Sequence, residues 1–228
     1  MRRGRSCSIL VFENCMVTTA SVFYTIYTEV IAMQYENYTN ARDLAWQILI
    51  EQNICELPVN VDFICEKMGI PIVPLSTLIS ITETYSLSSE ELQSGSVMII
   101  DNNAIIFVSE EESIERKRFT IAHELGHYLL KHAQRFEDLE EVKSEKEKIF
   151  EREANVFASR LLAPACVLWG CGVNSAIDIA DLCQISKEAA QYRWERMKLI
   201  KERGKFLAHP LEKKVYEQFL PYIKSHKK

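Results

Sequence analysis

The chain has 228 residues, 47% hydrophobic and 26% charged, a normal balance for one large globular domain or one domain with a small appendage. Lys and Arg number 27 against 32 Asp and Glu, for a formal net charge of -5. That balance argues against a whole-chain basic field holding nucleic acid, so nucleic acid is not expected as a direct partner.

Seven cysteines, at 7, 15, 55, 65, 166, 171 and 183, are odd in number and irregular in spacing, and they read as reduced thiols of a cytoplasmic protein. Cys166 and Cys171 have no second pair to complete a metal site and read as core residues. Arg2, Arg3 and Arg5, followed by a mildly apolar stretch from Met16 to Met33, imitate a secretory leader. Glu13, Asn14 and Glu29 interrupt that stretch, no small-residue cleavage site follows, and no segment reads as a membrane span. Met16 and Met33 are alternative starts, so residues 1–32 are read as an extension outside the domain, either disordered or a start-site artefact.

From residue 39 the pattern is legible. Thr39 or Asn40 is placed to cap a helix carrying Leu44, Ala45, Ile48 and Leu49 at helical spacing, broken by Leu57-Pro58-Val59. Asn60 opens a second, short helix with Val61, Ile64 and Met68 on one face, and Gly69 ends it. Ile70 to Pro74 is extended. Residues 76–95 show no clear order. Ser96–Ile100 and Ala104–Val108 then form a hairpin about Asp101-Asn102-Asn103. A buried helix is expected from Phe119 to about Lys131 and another from Ile149 to Leu162, stopped by Ala163-Pro164. The Glu- and Lys-dense stretch 137–148 between them reads as a solvated face or loop. Ile179 to Lys201 has helix-turn-helix spacing, with Arg193 and Arg196 available on its second helix.

The chemistry sits in His123-Glu124-Leu125-Gly126-His127. At about 100° per residue, positions i and i+4 project within about 40° of each other, so both imidazoles can reach one metal. Zinc suits neutral imidazole. Glu124 adjoins the first ligand but points partly away, where it can hold and deprotonate a metal-bound water. Phe119-Thr120-Ile121-Ala122 before the motif and Tyr128-Leu129-Leu130 after it supply the apolar helix that such a motif requires.

A third ligand is needed. The metzincin pattern would put Gly and His where this chain has Leu130 and Ala133, so it is rejected. His132, five residues past His127 and about 140° around the same helix, reads as a surface or packing histidine. On the next helix Glu151 and Asn155 share a face at i, i+4. Glu151 can supply a carboxylate oxygen while Asn155 hydrogen-bonds a ligand histidine or the helix it crosses. Glu153, about 200° away from Glu151, is the competitor. Ala154, Phe157, Ala158, Leu161 and Leu162 mark the buried side, which Glu151 borders, and Glu151 is therefore favoured.

Arg118-Phe119-Thr120-Ile121-Ala122-His123-Glu124-Leu125-Gly126-His127-Tyr128-Leu129-Leu130, with Glu151-Arg152-Glu153-Ala154-Asn155-Val156-Phe157-Ala158 and Leu161-Leu162-Ala163-Pro164, resembles the ImmA/IrrE family of metallopeptidases. The likeness extends in layout from Met33 to Leu220 and departs at Ala163, where Met often precedes the proline. It implies an α+β, gluzincin-like minimal metallopeptidase: a small sheet packed on the active-site helix, plus a helical C-terminal segment. It further implies zinc on His123, His127 and Glu151, Glu124 as catalytic base, and a protein substrate, typically a helix-turn-helix repressor of a phage or mobile element. The expected organisation is an extension over 1–32, the peptidase domain over 33–170 and a helical part over 171–228.

Related metallopeptidases bind substrate as a strand along a sheet edge, and the hairpin before the active helix is the natural platform. Tyr192 is a candidate oxyanion donor, with a packed helix tyrosine as the plainer reading. Glu188 and Glu195 interleave the arginines of the helix-turn-helix segment, so structural support is preferred there to DNA binding. Two classes of function stand: an endopeptidase acting on a repressor, and a regulatory or DNA-binding protein that holds zinc without turnover. The intact Glu124 favours the first, because a purely structural site has no use for a base.

Overall fold

A computed structural model describes residues 38–77, 94–100, 103–137 and 143–227. The extension expected before residue 33, most of the polar stretch 76–95, Asp101-Asn102 and residues 138–142 lie outside them. Helix α1 covers 38–51 among the described residues, so Thr39 and Asn40 lie within it instead of capping it. Its face of Ala41, Ala45, Ile48 and Leu49 is buried, as the 3.6-residue period dictates. Helix α2 (Val61–Lys67) starts at Asn60, whose side chain accepts from the Phe63 N–H. It ends where Gly69, at φ 70°, turns the chain away.

Strands β1 (Ile72–Pro74), β2 (Gly95–Ile100) and β3 (Asn103–Val108) form a mixed sheet in the order β1-β3-β2. β1 runs parallel to β3 and β2 antiparallel, with Ile100 opposite Asn103. The hairpin therefore includes Gly95 and Asn103, one residue more per strand than the sequence indicated. Alternation along β3 sends Ala104, Ile106 and Val108 into the main core and Phe107 to the other face beside Leu75.

The active-site helix α3 (Ile114–Leu129) begins five residues before Phe119, because Ser113 caps it by accepting from the Arg116 N–H. Helix α4 (His132–Glu137) follows, then α5 (Lys143–Leu162), which extends back into the Glu- and Lys-dense stretch. After Pro164 come α6 (Ala165–Gly170), α7 (Ala176–Cys183), α8 (Lys187–Glu202), α9 (Pro210–Gln218) and α10 (Leu220–His226). The fold is α+β with a helical C-terminal segment, and no described helix is long and apolar enough to cross a membrane.

Two glycines set the distances on which the site depends. A Cβ at Gly126 would lie 3.0 Å from the Phe157 ring and 3.3 Å from the Ala154 Cα, so α3 and α5 meet there with almost no gap. A Cβ at Gly95 would collide with Thr120 Cγ2 and lie 2.8 Å from the Phe107 carbonyl oxygen, so β2 rests directly on α3. Buried Arg118 of α3 donates through Nη2 to the carbonyls of Val59 at 2.9 Å and Cys183 at 3.2 Å, and through Nε to Gln184 at 3.3 Å. The α7–α8 turn is thereby tied to the active-site helix. Arg193, expected to be free on α8, is instead 2% exposed, and its Nε donates to the Ala163 carbonyl at 2.6 Å. A guanidinium spent in the core cannot reach a phosphate.

Candidate metal centre

Helix α3 buries Ile121, Ala122, Leu125 and Gly126, which turns His123, Glu124 and His127 toward the opposite, partly open side. Helix α5 packs across it through Ala154 and Phe157, and this contact brings Glu151 to the two imidazoles. His123 Nε2 lies 3.3 Å from Glu151 Oε2, His127 Nε2 lies 3.3 Å from Oε1, and the two Nε2 atoms are 3.0 Å apart. Ligand atoms of the three residues all fall within 4.8 Å of one another, a group able to hold a metal ion. Hydrogen bonds from both histidines keep the Glu151 carboxyl well below the usual carboxylate range.

The ring nitrogens on the far side are also engaged. His123 Nδ1 lies 3.2 Å from Asn155 Oδ1, one turn beyond Glu151 on α5. His127 Nδ1 lies 3.0 Å from Nδ1 of His132. Glu124 is half-buried against β2. Burial pushes its carboxyl above the ordinary range, against the pull of His123 and His127 and a hydrogen bond from the Val97 backbone.

Two further residues stand behind these ligand groups. His132 does not belong to the active-site helix: α3 ends at Leu129, Lys131 takes the left-handed conformation at φ 57°, and His132 opens α4. The 140° separation therefore does not apply, and the ring folds back, 2% exposed, against His127. Glu153 faces away from the three ligand groups. It is 3% exposed, its Oε2 lies 3.0 Å from His132 Nε2, and Arg135 grips both of its oxygens at 2.6 and 3.2 Å. Burial opposes the charge on Glu153, but the bonds from His132 and Arg135 prevail and hold its carboxyl low. Burial likewise pushes His132 toward the neutral imidazole, against its bond to Glu153. The one signal of this group in the sequence was a second carboxylate flanking the buried face of α5. Tyr192 lies 68% exposed on α8, and none of the contacts described for His123, His127 and Glu151 involves it.

Two imidazoles one turn apart, a carboxylate from a crossing helix and a half-buried glutamate beside the first imidazole define the class of HExxH metallopeptidases. The family model Peptidase_M78, the IrrE N-terminal-like domain, matches residues 65–195, and the chain belongs to this family of metal-dependent peptidases. No curated protein sequence matches the chain, so membership rests on that match.

Proposed function

We propose that the protein is a zinc endopeptidase with His123, His127 and Glu151 as metal ligands and Glu124 as general base. The observation that carries this reading is the convergence of the three groups. Zinc bonds of about 2.0–2.1 Å in tetrahedral geometry imply ligand atoms about 3.3–3.4 Å apart, and the trio is spaced at 3.0, 3.3 and 3.3 Å. Two neutral nitrogens and one carboxylate oxygen also form a donor set typical of catalytic zinc, which keeps a fourth position open. Bound there, zinc supplies Lewis acidity, which acidifies water and polarises a peptide carbonyl.

The chain's own residues do the rest. A Glu124 oxygen accepts the proton lost by the attacking water and returns it to the amine as the peptide C–N bond breaks. The backbone hydrogen bond from Val97 holds that carboxylate beside β2. Among the described residues β2 pairs only with β3, so its other edge is available for an extended substrate to add as a strand. Tyr192 is kept as the candidate oxyanion donor, to be tested by Tyr192→Phe, which would lower kcat if its hydroxyl reaches the transition state.

We assign the substrate to a helix-turn-helix repressor of a phage or mobile element, on the family resemblance. A cytoplasmic location fits such a target and the free, buried Cys65, Cys166, Cys171 and Cys183. The alternative of a regulatory protein without turnover leaves Glu124 without a role, and the burial of Arg193 weakens a DNA-binding version of it. The test is incubation of the zinc-loaded protein with any helix-turn-helix repressor encoded beside its gene, read by intact-mass spectrometry. Two fragments from wild type and none from Glu124→Gln are expected. Equal cleavage by both proteins would overturn the assignment of the base.

A further inference from the structure

Behind the ligand histidine His127 runs a buried chain of polar groups that peptide hydrolysis does not itself require. We propose that His132, Glu153 and Arg135 form a positioning relay that fixes the tautomer and ring angle of His127 and strengthens it as a metal ligand. This rests on the reading of His123, His127 and Glu151 as a metal site.

The protons can be placed by elimination. A metal held by the three groups takes the lone pair of His127 Nε2, so in the loaded protein the hydrogen must sit on Nδ1. Its partner there is His132 Nδ1, at 3.0 Å, which must accept. The hydrogen of His132 is then on Nε2, where Glu153 Oε2 accepts it at 3.0 Å. Arg135 donates to both oxygens of Glu153 and closes the chain with a bidentate pair. The reverse assignment fails. A hydrogen on His132 Nδ1 would face the one on His127, and a bare His132 Nε2 would face a carboxylate.

The relay is held rigidly and at a cost. Phe150 stacks on the His132 ring with centroids 4.5 Å apart and planes 11° from parallel, and the Arg135 guanidinium lies 4.5 Å from the centre of the Phe150 ring. Taking a charge such as that of Glu153 out of water costs several kcal/mol, and an apolar set of similar volume would often be at least as stable. Stability alone is therefore a poor reason for these residues. The two ligand histidines also differ: His123 has a neutral amide oxygen as partner, whereas His127 is connected through one imidazole to an ionised carboxylate. A carboxylate behind a histidine raises its basicity and fixes its orientation, and loss of such partners typically weakens metal binding about 10–100-fold.

The experiment uses the full chain stripped of metal, with zinc as the probe in competition with a chromogenic chelator. Nitrogen-15 NMR of the zinc-loaded protein reports separately which ring nitrogen of His127 and of His132 carries hydrogen. In wild type, His127 should carry it on Nδ1 and His132 on Nε2. His132→Phe keeps the ring stacked on Phe150 but removes the acceptor, and should weaken zinc binding about 10–100-fold. Glu153→Gln keeps an acceptor for His132 but removes the charge, and should weaken binding by a smaller factor. Should His132→Phe fail to fold, Glu153→Gln and the wild-type tautomer decide. Folded variants that bind zinc as tightly as wild type, or a wild-type His132 with its hydrogen on Nδ1, would overturn the relay. A wild type that binds no zinc would overturn the metal site as well.

Discussion

Glu151 and Glu153 differ by two positions on one helix and by almost everything else. The first is largely exposed and meets two imidazole Nε2 atoms; the second is 3% exposed and forms an ion pair with Arg135. The 200° between them is enough to put one at the mouth of the site and the other behind it. Glu124 is a third case. Its burial against β2 favours the protonated acid, while two neighbouring imidazoles and the Val97 backbone favour the carboxylate. Such a balance suits a group that must both accept and return a proton. At this scale the expected outcome is that Glu124→Gln keeps its zinc and loses about 10²–10⁴-fold in cleavage rate, the range of general-base contributions. Steady-state kinetics on the zinc-loaded variant checks it, and a loss below tenfold would remove Glu124 from that role.

The elements matter through how closely they approach. Gly95 lets β2 lie on α3, and the atoms that a side chain would meet include a backbone carbonyl, which cannot rotate away. Gly95→Ala should therefore cost about 1–3 kcal/mol, as overpacking does, visible as a lower Tm. It should also lower cleavage, because β2 carries the backbone that holds Glu124. Unchanged stability would mean that the strand shifts freely. Gly126 is less sharply placed. A methyl group there presses mainly on the Phe157 side chain, and the gain in helix propensity of about 1 kcal/mol offsets part of the strain.

The legibility of the sequence follows the range of the interaction. The pairing of His123 with His127 and of Glu151 with Asn155 is set by helix geometry within four residues, and these could be read directly. The caps at Asn60 and Ser113 are equally local, although the polar segment before Phe119 obscured the start of α3. His132 was rightly read as a packing residue outside the ligand set, but the 140° assigned to it failed, because the helix stops before Lys131, in a left-handed conformation where Gly is the usual marker. Nothing in the spacing announces that break. The burial of Arg193 was out of reach because its acceptor, the Ala163 carbonyl, lies 30 residues away in sequence.

Across the whole molecule, long-range ties hold the C-terminal helices to the catalytic part. Arg118 reaches the α7–α8 turn, and Gln218 of α9 donates to the carbonyls of Leu49 at 2.8 Å and Ile54 at 2.5 Å, closing the end of α1. The core they enclose contains thiols that ionise with difficulty. Burial pushes Cys65 and Cys183 up to about 12 from an ordinary 9.0, Cys166 higher still, and Tyr222 to about 12 from 10.0. Because the folded values are raised, the associated stability is complete below pH 9 and is lost as pH climbs toward 12. At pH 10, one unit above the unfolded value, each of the three thiols costs on the order of 1 kcal/mol, together a sizeable part of a typical stability of about 5–15 kcal/mol. Guanidinium unfolding at pH 7.5 and pH 10 should show a clear fall in midpoint, and equal midpoints would contradict the burial of these groups.

We place one zinc ion on His123, His127 and Glu151. X-ray absorption at the zinc edge of the singly loaded full chain should show nitrogen and oxygen scatterers at about 2.0–2.1 Å, with the outer-shell pattern of two imidazoles. A sulfur shell near 2.3 Å, or fewer than two imidazoles, would place the metal elsewhere and contradict it.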